Sequence, residues 1–329
     1  MKTPPTPLGM FCAPQTTADV GFFVAVDAGG TSTEAALTDE HDHVVARGSA
    51  GPGSYSAMPL NVWTRVIQSA VQDACSSIAS VSQPPVLRHI WVGSAGIDTP
   101  TSVHDATNTL RQIFGPTTAL TVTNDAALLC THNEGKASVV AIAGTGSVVL
   151  AFDVQRTLIK RVGGLGWILG DDGSAYALGR AVLRAVVDAH PLPSTTLASA
   201  CLTAWRMPSA SCVTDLLKTL YSNDNAKARI ASLAPVVVQA AMSGDTLAKH
   251  IVHTQAKLMA QQIMRAAHSL EQTCIASRPA LRLGGSLFHV DAYRDYVMQE
   301  IQEKNYSSVA VVHDICGTAA AALRTMPYQ

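Results

Sequence analysis

Five short stretches of this 329-residue chain place residues in arrangements suited to chemistry. Asp27-Ala28-Gly29-Gly30-Thr31 follows an apolar run. Glycines there let backbone N–H groups approach a phosphate, Thr31 adds a hydroxyl donor, and Asp27 at the end of the run is placed to hold Mg²⁺ through water. Gly144-Thr145-Gly146-Ser147 repeats the same physics in the second half. Either turn alone reads equally as a plain hairpin turn, but two at corresponding places are harder to obtain by chance. Gly284-Gly285-Ser286 lies where glycine lets a flat ring or ribose rest on backbone, or where a helix starts with Ser286 as its cap. Asp125, next to Asn124, is a carboxylate at a strand exit: a base for a hydroxyl during phosphoryl transfer, or a helix N-cap. Residues 163–174 hold five glycines, Trp167 and the adjacent Asp171 and Asp172. That mixture packs poorly as a regular element, which favours a ligand loop whose carboxylates accept hydrogen bonds from sugar hydroxyls, unless Asp172 or Ser174 only caps the next helix.

The elements that must position these residues follow from periodicity. Phe22 to Val26, Ala35 to Leu37 and Val44 to Ala46 read as three strands around the first glycine turn. Pro59 opens a helix with Trp63, Val66, Ala70, Ala74 and Ile78 on its apolar face, and Pro84-Pro85 ends that unit. A buried strand over His89–Val92, a helix over 101–114 and a strand over Ala119–Val122 deliver Asn124 and Asp125. The second half opens as the first did, with strands at 139–143 and 148–152 about the second glycine turn. After Gly173 a helix carries Leu178, Val182, Val186 and Ala189 on one face. Residues 196–276 read as mostly helical, with Pro208 and Pro235 as punctuation and Pro191 and Pro193 ahead of them. Strands at 281–283 and 309–312 precede a final helix from Thr318 to Leu323. The fold class is therefore α/β.

At this length two domains are expected. The chain is 47% hydrophobic and 14% charged with a net charge of -1. Its mean hydropathy is +0.19. This is the composition of a packed globule, with no basic excess for nucleic acid. Seven cysteines (Cys12, Cys75, Cys130, Cys201, Cys212, Cys274 and Cys316) show no zinc spacing and read as reduced, mostly buried thiols. No stretch approaches a membrane span, and the proline-rich start lacks the plan of a signal peptide. Residues 1–19 are expected to form a mobile tail, with the cytoplasm as location.

Taken together and in this order, Asp27 to Thr31, Thr123-Asn124-Asp125-Ala126, Ile142 to Ser147, Gly163 to Ser174 and Gly284 to Ser286 resemble the BadF/BadG/BcrA/BcrD-type ATPases and, within them, N-acetylglucosamine kinases, over about residues 22–325. The resemblance implies two ribonuclease-H-like (actin-like ATPase) domains with an interdomain cleft: residues 20–124 plus 316–329 as the small domain and 125–315 as the large one. It implies ATP and Mg²⁺ as cofactors, an amino sugar as acceptor, no nucleic-acid or membrane partner, and a homodimer. Asp27 matches the metal-holding position. Gly29, Gly30 and Thr31 match the first phosphate loop, and Gly144, Thr145, Gly146 and Ser147 the second. Gly284, Gly285 and Ser286 match the adenosine loop, and Asp125 matches the base that deprotonates the sugar 6-hydroxyl. Ser54, Ala95, Gly96, Asn124, Asp125, Gly164, Gly170 and Asp171 fall at sugar-contacting positions, and Gly317-Thr318-Ala319 would begin the helix that returns to the small domain.

Three positions depart from the family's pattern. Ser54 stands where the family often has asparagine, Ala95 where serine is common, and Asp172 where glutamate is usual. These leave phosphoryl transfer intact and open the acceptor to glucosamine or another amino sugar. A redox activator ATPase would need cysteines for a subunit-bridging iron–sulfur cluster. No cysteine shows the glycine-rich helix-start setting of such activators. A sugar-sensing regulator would carry a DNA-binding domain, and no basic recognition helix is evident.

Overall fold

The computed structural model describes residues 21–78, 85–131, 135–188, 195–208, 212–221, 225–272, 278–302 and 305–325. Cys12, Cys274, Pro84, Ala189, Pro191, Pro193 and the expected tail over 1–19 lie outside the described residues. The chain divides into two compact units, residues 1–132 with 314–329 and residues 133–313. Asp125 thus stays with the first unit's sheet, whereas the expectation from sequence put it at the start of the second domain.

In the first unit, strands β1 (Gly21–Ala28), β2 (Thr33–Thr38), β3 (Val44–Ala50), β4 (Val86–Ser94) and β5 (Ala119–Thr123) form one sheet in the order β3-β2-β1-β4-β5. β1 pairs antiparallel with β2 and parallel with β4. Its central position buries Phe23 to Val26 on both faces, which is why the strand reads as a continuous apolar run. Helix α1 (Leu60–Ser76) packs on β2 and β3 through Trp63, Ile67, Ala70, Val71 and Ala74. The apolar face is therefore rotated from the one expected: Val66 is half-exposed and Ile78 lies past the helix end. Gly48 in β3 permits this approach, since a Cβ there would collide with the backbone of Ala70 and Ala74. Helix α2 (Pro100–Phe114) joins β4 to β5, started by a capping box between Thr99 and Ser102.

His89 in β4 is 1% exposed, with its Nε2 2.8 Å from Thr121 Oγ1 on β5. Burial pushes its pKa down from the ordinary 6.5 to about 4. The unfolded chain therefore takes up a proton near pH 6.5 while the folded one refuses it until about pH 4. Stability contributed by neutral His89 is full above pH 6.5 and lost as pH falls through that window, by ~3 kcal/mol in all. Melting curves from pH 7 to 4.5 are expected to show this loss in the wild type and a flatter profile in His89→Gln. Parallel profiles would remove His89 as the cause.

The second unit repeats the plan. Strands β6 (Ser138–Ala143), β7 (Ser147–Phe152), β8 (Leu158–Gly163), β9 (Ala280–Gly284) and β10 (Ser308–Val311) run in the order β10-β9-β6-β7-β8. Read from β8, this is the first sheet's order, and the pairing senses match strand for strand: antiparallel for β6–β7 and β7–β8, parallel for β6–β9 and β9–β10. Each sheet has the strand order of a ribonuclease-H-like domain. Sequence reading left β8 out, because as the edge strand it exposes Lys160 and Arg161 and shows no apolar run.

After β8, residues 166–169 form the short helix α3 (Gly166–Leu169) within the segment expected to be wholly irregular. Helices α4 (Ala175–Asp188), α5 (Thr196–Ala204), α6 (Val213–Tyr221), α7 (Ala226–Ala231), α8 (Ala234–Met242), α9 (Thr246–Glu271) and α10 (Asp291–Ile301) fill the rest of the unit. Pro235 falls in the first turn of α8, where its missing N–H costs nothing. α9 lies along β6, β7 and β8. Among the described residues no single helix is long and apolar enough to cross a membrane. Helix α11 (Ile315–Ala322) returns the chain to the first unit on β1 and β2. It begins at Ile315, three residues ahead of the expected Thr318, because Asp314 caps it by accepting from the Gly317 N–H at 2.9 Å.

Candidate active site

At the end of β1, Asp27 stands opposite Glu34 on β2 and Gly93 on β4. The turn that follows is closed by the Gly29 N–H donating to Ser32 O at 3.0 Å, leaving Gly30 and Thr31 exposed. The Gly29 carbonyl accepts from the Gly53 N–H at 2.9 Å, and the Ala95 N–H donates to Ala28 O at 3.0 Å. Tyr55 N–H donates to Ala95 O at 2.8 Å, and the Ser54 hydroxyl donates to the same carbonyl at 3.3 Å. Gly96 has φ +87° and lies against Ser56. Buried Ser94 ties the group to α1: it accepts from Trp63 Nε1 at 3.0 Å and donates to Gly53 O at 3.0 Å. The first turn, Ser54 and Ala95 are thus one hydrogen-bonded cluster, with Gly96 packed against Ser56 beside it.

Asp125 opens a 3-10 turn, Asp125–Leu129, directly after β5. Its cap is Asn124, whose Oδ1 accepts from the Ala126 N–H at 3.0 Å, so the helix-cap role considered for Asp125 belongs to its neighbour. Asn124 also donates to Asp98 Oδ1 at 2.7 Å and is 8% exposed. The turn reaches the β1–β4 end of the sheet because residue 93 is glycine: a Cβ there would lie 2.5 Å from Leu128 Cδ1 and 3.0 Å from Asp125 Cα. That approach has an electrostatic result. Burial, then the charges of Asp125 and Glu34, push the Asp27 carboxyl up to about 7. A carboxylate so destabilised by its neighbours suits a divalent cation, which would compensate the repulsion. Among the described residues no group of three His, Cys, Asp or Glu side chains forms a closed metal cage.

Cys316 is set at a helix start, though not a glycine-rich one. It lies beside Gly317, but it is 3% exposed and its thiol donates to Glu34 O at 3.3 Å. Burial pushes this thiol far up, which makes it a packing residue and no surface ligand.

In the second unit, the turn after β6 is closed by Gly144 N–H to Gly146 O at 2.9 Å. It docks on the start of α4, where the Ala175 and Tyr176 N–H groups donate to the Gly144 and Thr145 carbonyls at 2.9 and 3.2 Å. Ser147 N–H donates to Asp171 Oδ1 at 3.1 Å, and its hydroxyl donates to Asp172 O at 2.7 Å. Asp171, expected to face sugar hydroxyls, is 4% exposed at φ +64° and holds Lys227 Nζ 2.8 Å from its second oxygen. Its carboxylate is engaged within the protein.

The segment around Asp171 is braced from two helices. Gln262 donates to Asp172 O at 3.0 Å, Gln255 accepts from the Gly173 N–H at 3.0 Å, and Tyr293 donates to Gly173 O at 2.6 Å. Ser174 caps α4 by accepting from the Ala177 N–H at 3.1 Å. Gly164 sits at φ +67° against Val148, while Gly170 follows α3, whose Ile168 and Leu169 are exposed.

Gly284 at the end of β9 is in register with Ile142 of β6, so the second and third glycine turns are neighbours. Gly285 takes φ +91° and Ser286 opens a 3-10 turn without capping it through its side chain. Beside these turns is a cavity of about 510 Å³ lined by Thr145 and Ser286 of the turns, with Ser232 and Gln239 as further polar groups and Val238 and Leu287 among its apolar walls. Its size is that of a small-molecule pocket. Sequence reading missed Lys227, Ser232 and Gln239, which lie in the helical stretch taken as scaffold. Gly93 was also missed, although a glycine inside an apolar strand does signal a close backbone approach.

Comparison with known proteins agrees with this architecture. The chain is 24% identical over 310 residues to an N-acetyl-D-glucosamine kinase of Dictyostelium discoideum, covering 91% of this chain and 96% of the relative. It is 25% identical over 239 residues to an N-acetylmuramic acid/N-acetylglucosamine kinase of Clostridium acetobutylicum, covering 72% and 76%. A provisionally named N-acetylglucosamine kinase of Chromobacterium violaceum superposes with a TM-score of 0.67 at 19% identity, over 94% of this chain and all of the other. The model of the BadF/BadG/BcrA/BcrD ATPase family matches residues 24–323, and the chain belongs to that family.

Proposed function

We propose that this protein transfers the γ-phosphoryl group of ATP to the 6-hydroxyl of an amino sugar, N-acetyl-D-glucosamine first among them, with Asp125 as general base. The observation that carries the proposal is the convergence of Asp27 and Asp125 at one sheet end, beside a glycine turn whose Gly30 and Thr31 are exposed. Both curated relatives above act on N-acetylglucosamine by name. In this reading Asp125 takes the hydroxyl proton as the sugar oxygen bonds to phosphorus and ADP leaves. Asp27 would hold Mg²⁺, and such an ion would supply charge neutralisation for the phosphate oxygens. Gly30 and Thr31, and Thr145 and Gly146 of the second turn, present N–H groups to the phosphates, while Gly29, Gly144 and Ser147 shape the turns through N–H groups that donate within the protein. Gly284 to Ser286 and the adjoining cavity take the nucleoside. Ser54, Ala95, Gly96 and Asn124 frame the acceptor.

The test is ADP release with Mg-ATP against N-acetylglucosamine, N-acetylmannosamine, glucosamine, glucose and no sugar. Turnover that requires an amino sugar, and is highest with N-acetylglucosamine, is the expected result. Highest turnover with glucosamine would follow if the Ser54 and Ala95 departures moved the specificity. ADP release indifferent to every sugar would overturn the proposal.

A further inference from the structure

Lys227 reaches the second glycine turn from α7, far along the chain from that turn. It projects from the first turn of α7 with its side chain 30% exposed, and its Nζ lies 2.8 Å from Asp171 Oδ2. A Cβ on Gly146 would lie 3.0 Å from that nitrogen and 2.9 Å from both Asp171 oxygens, so the ion pair stands directly on the turn backbone. The anion is held at a cost: Asp171 is a non-glycine residue in the left-handed region. It is also fixed by the Ser147 N–H at 3.1 Å and is 4% exposed. The pair is therefore lopsided, with the Asp171 side chain buried and the Lys227 side chain part-exposed. Ala228 and Ala231 of the same helix line the cavity together with Thr145 and Ser286. The contact is an ion pair without hydrogen-bond geometry, since Asp171 Oδ2 is buried and meets no donor, and an ammonium carries three donors.

We infer that Lys227 binds the polyphosphate of the nucleotide over the 144–147 turn, with Asp171 as its positioning residue, and so makes the site select di- and triphosphates over the nucleoside. The inference rests on the nucleotide reading above and assigns one discriminating contact within it. Asp171 acts through Lys227 and Ser147: it holds the ammonium at the turn and keeps the Ser147 N–H from being left buried without a partner.

Binding of ATP, ADP, AMP and adenosine by calorimetry tests it on the full chain. Lys227→Met is expected to weaken ATP and ADP by about 10-fold or more, the loss of one charge-assisted hydrogen bond, while adenosine stays within about 2-fold. Lys227→Arg is expected to recover most of the triphosphate affinity. Because Lys227→Met leaves a buried carboxylate unpaired, the double variant Lys227→Met with Asp171→Asn is measured beside it and is expected to show the same selective loss. Wild-type ATP affinity in the folded double variant, or an equal loss for adenosine, would overturn the inference alone. A wild-type chain that binds no nucleotide would overturn the nucleotide reading and this contact with it.

Discussion

Asp125→Asn is expected to lower sugar-dependent ADP release by about 100-fold or more while sugar still binds. The substitution keeps the local hydrogen bonds and removes one of the charges that raise the Asp27 carboxyl. The 3-10 turn is capped by Asn124, and the Asp125 Oδ1 contact to the Ala126 N–H, 2.9 Å, can be kept by an amide oxygen. An amide cannot take a proton from the attacking hydroxyl, so turnover fails and binding does not. Melting temperature should not fall by more than about 2 °C, since the charge removed is one that disfavours the Asp27 carboxylate. Steady-state turnover, sugar affinity and a melting curve together check this. Near-normal turnover in a folded variant would remove Asp125 as the base.

What was legible in the sequence and what was not divides along physical lines. Central strands bury both faces, so Phe23 to Val26 and Val139 to Ala143 announce themselves as apolar runs. The glycine turns follow directly on these strands and could be placed with them. Edge strand β8 buries little and carries Lys160 and Arg161, so periodicity had nothing to register. For α1 the period was found but its phase was off: the interface that selects Ile67 over Val66 is set by β2 and β3, beyond the reach of a local pattern.

The site shows the same division. Asp27, Asp125 and three glycine turns could be picked out by residue type and spacing. That Asp171 turns inward could not, because its partner Lys227 comes from a different helix and the pairing exists only once α7 lies beside the turn. The duplication of strand order across the two sheets was visible only as a shared plan, since order and pairing sense can persist where side chains have diverged.

The glycines themselves separate into those the protein requires and those it does not, and this yields the second large effect. Gly285→Ala is expected to cost about 3 kcal/mol or more and to abolish nucleotide binding. Its φ is +91°, and an added Cβ would lie 2.5 Å from Ala143 O and 2.6 Å from Ala143 C. Those are backbone atoms of β6, paired on both sides by β7 and β9, so neither neighbour can give way. Gly144 is the control. Its φ is not positive, and the nearest atom to an added Cβ is Ser286 Oγ at 4.0 Å. Gly30 likewise has nothing within 4 Å.

Neither Gly30 nor Gly144 is required by the protein's own packing, so a side chain there should be felt only by something that comes to rest on the turn. Gly144→Ala is accordingly expected to melt like the wild type and to lose ATP affinity, whereas Gly285→Ala loses both together. Paired melting and binding measurements distinguish the cases. Full ATP affinity in Gly144→Ala would show that no phosphate approaches that turn.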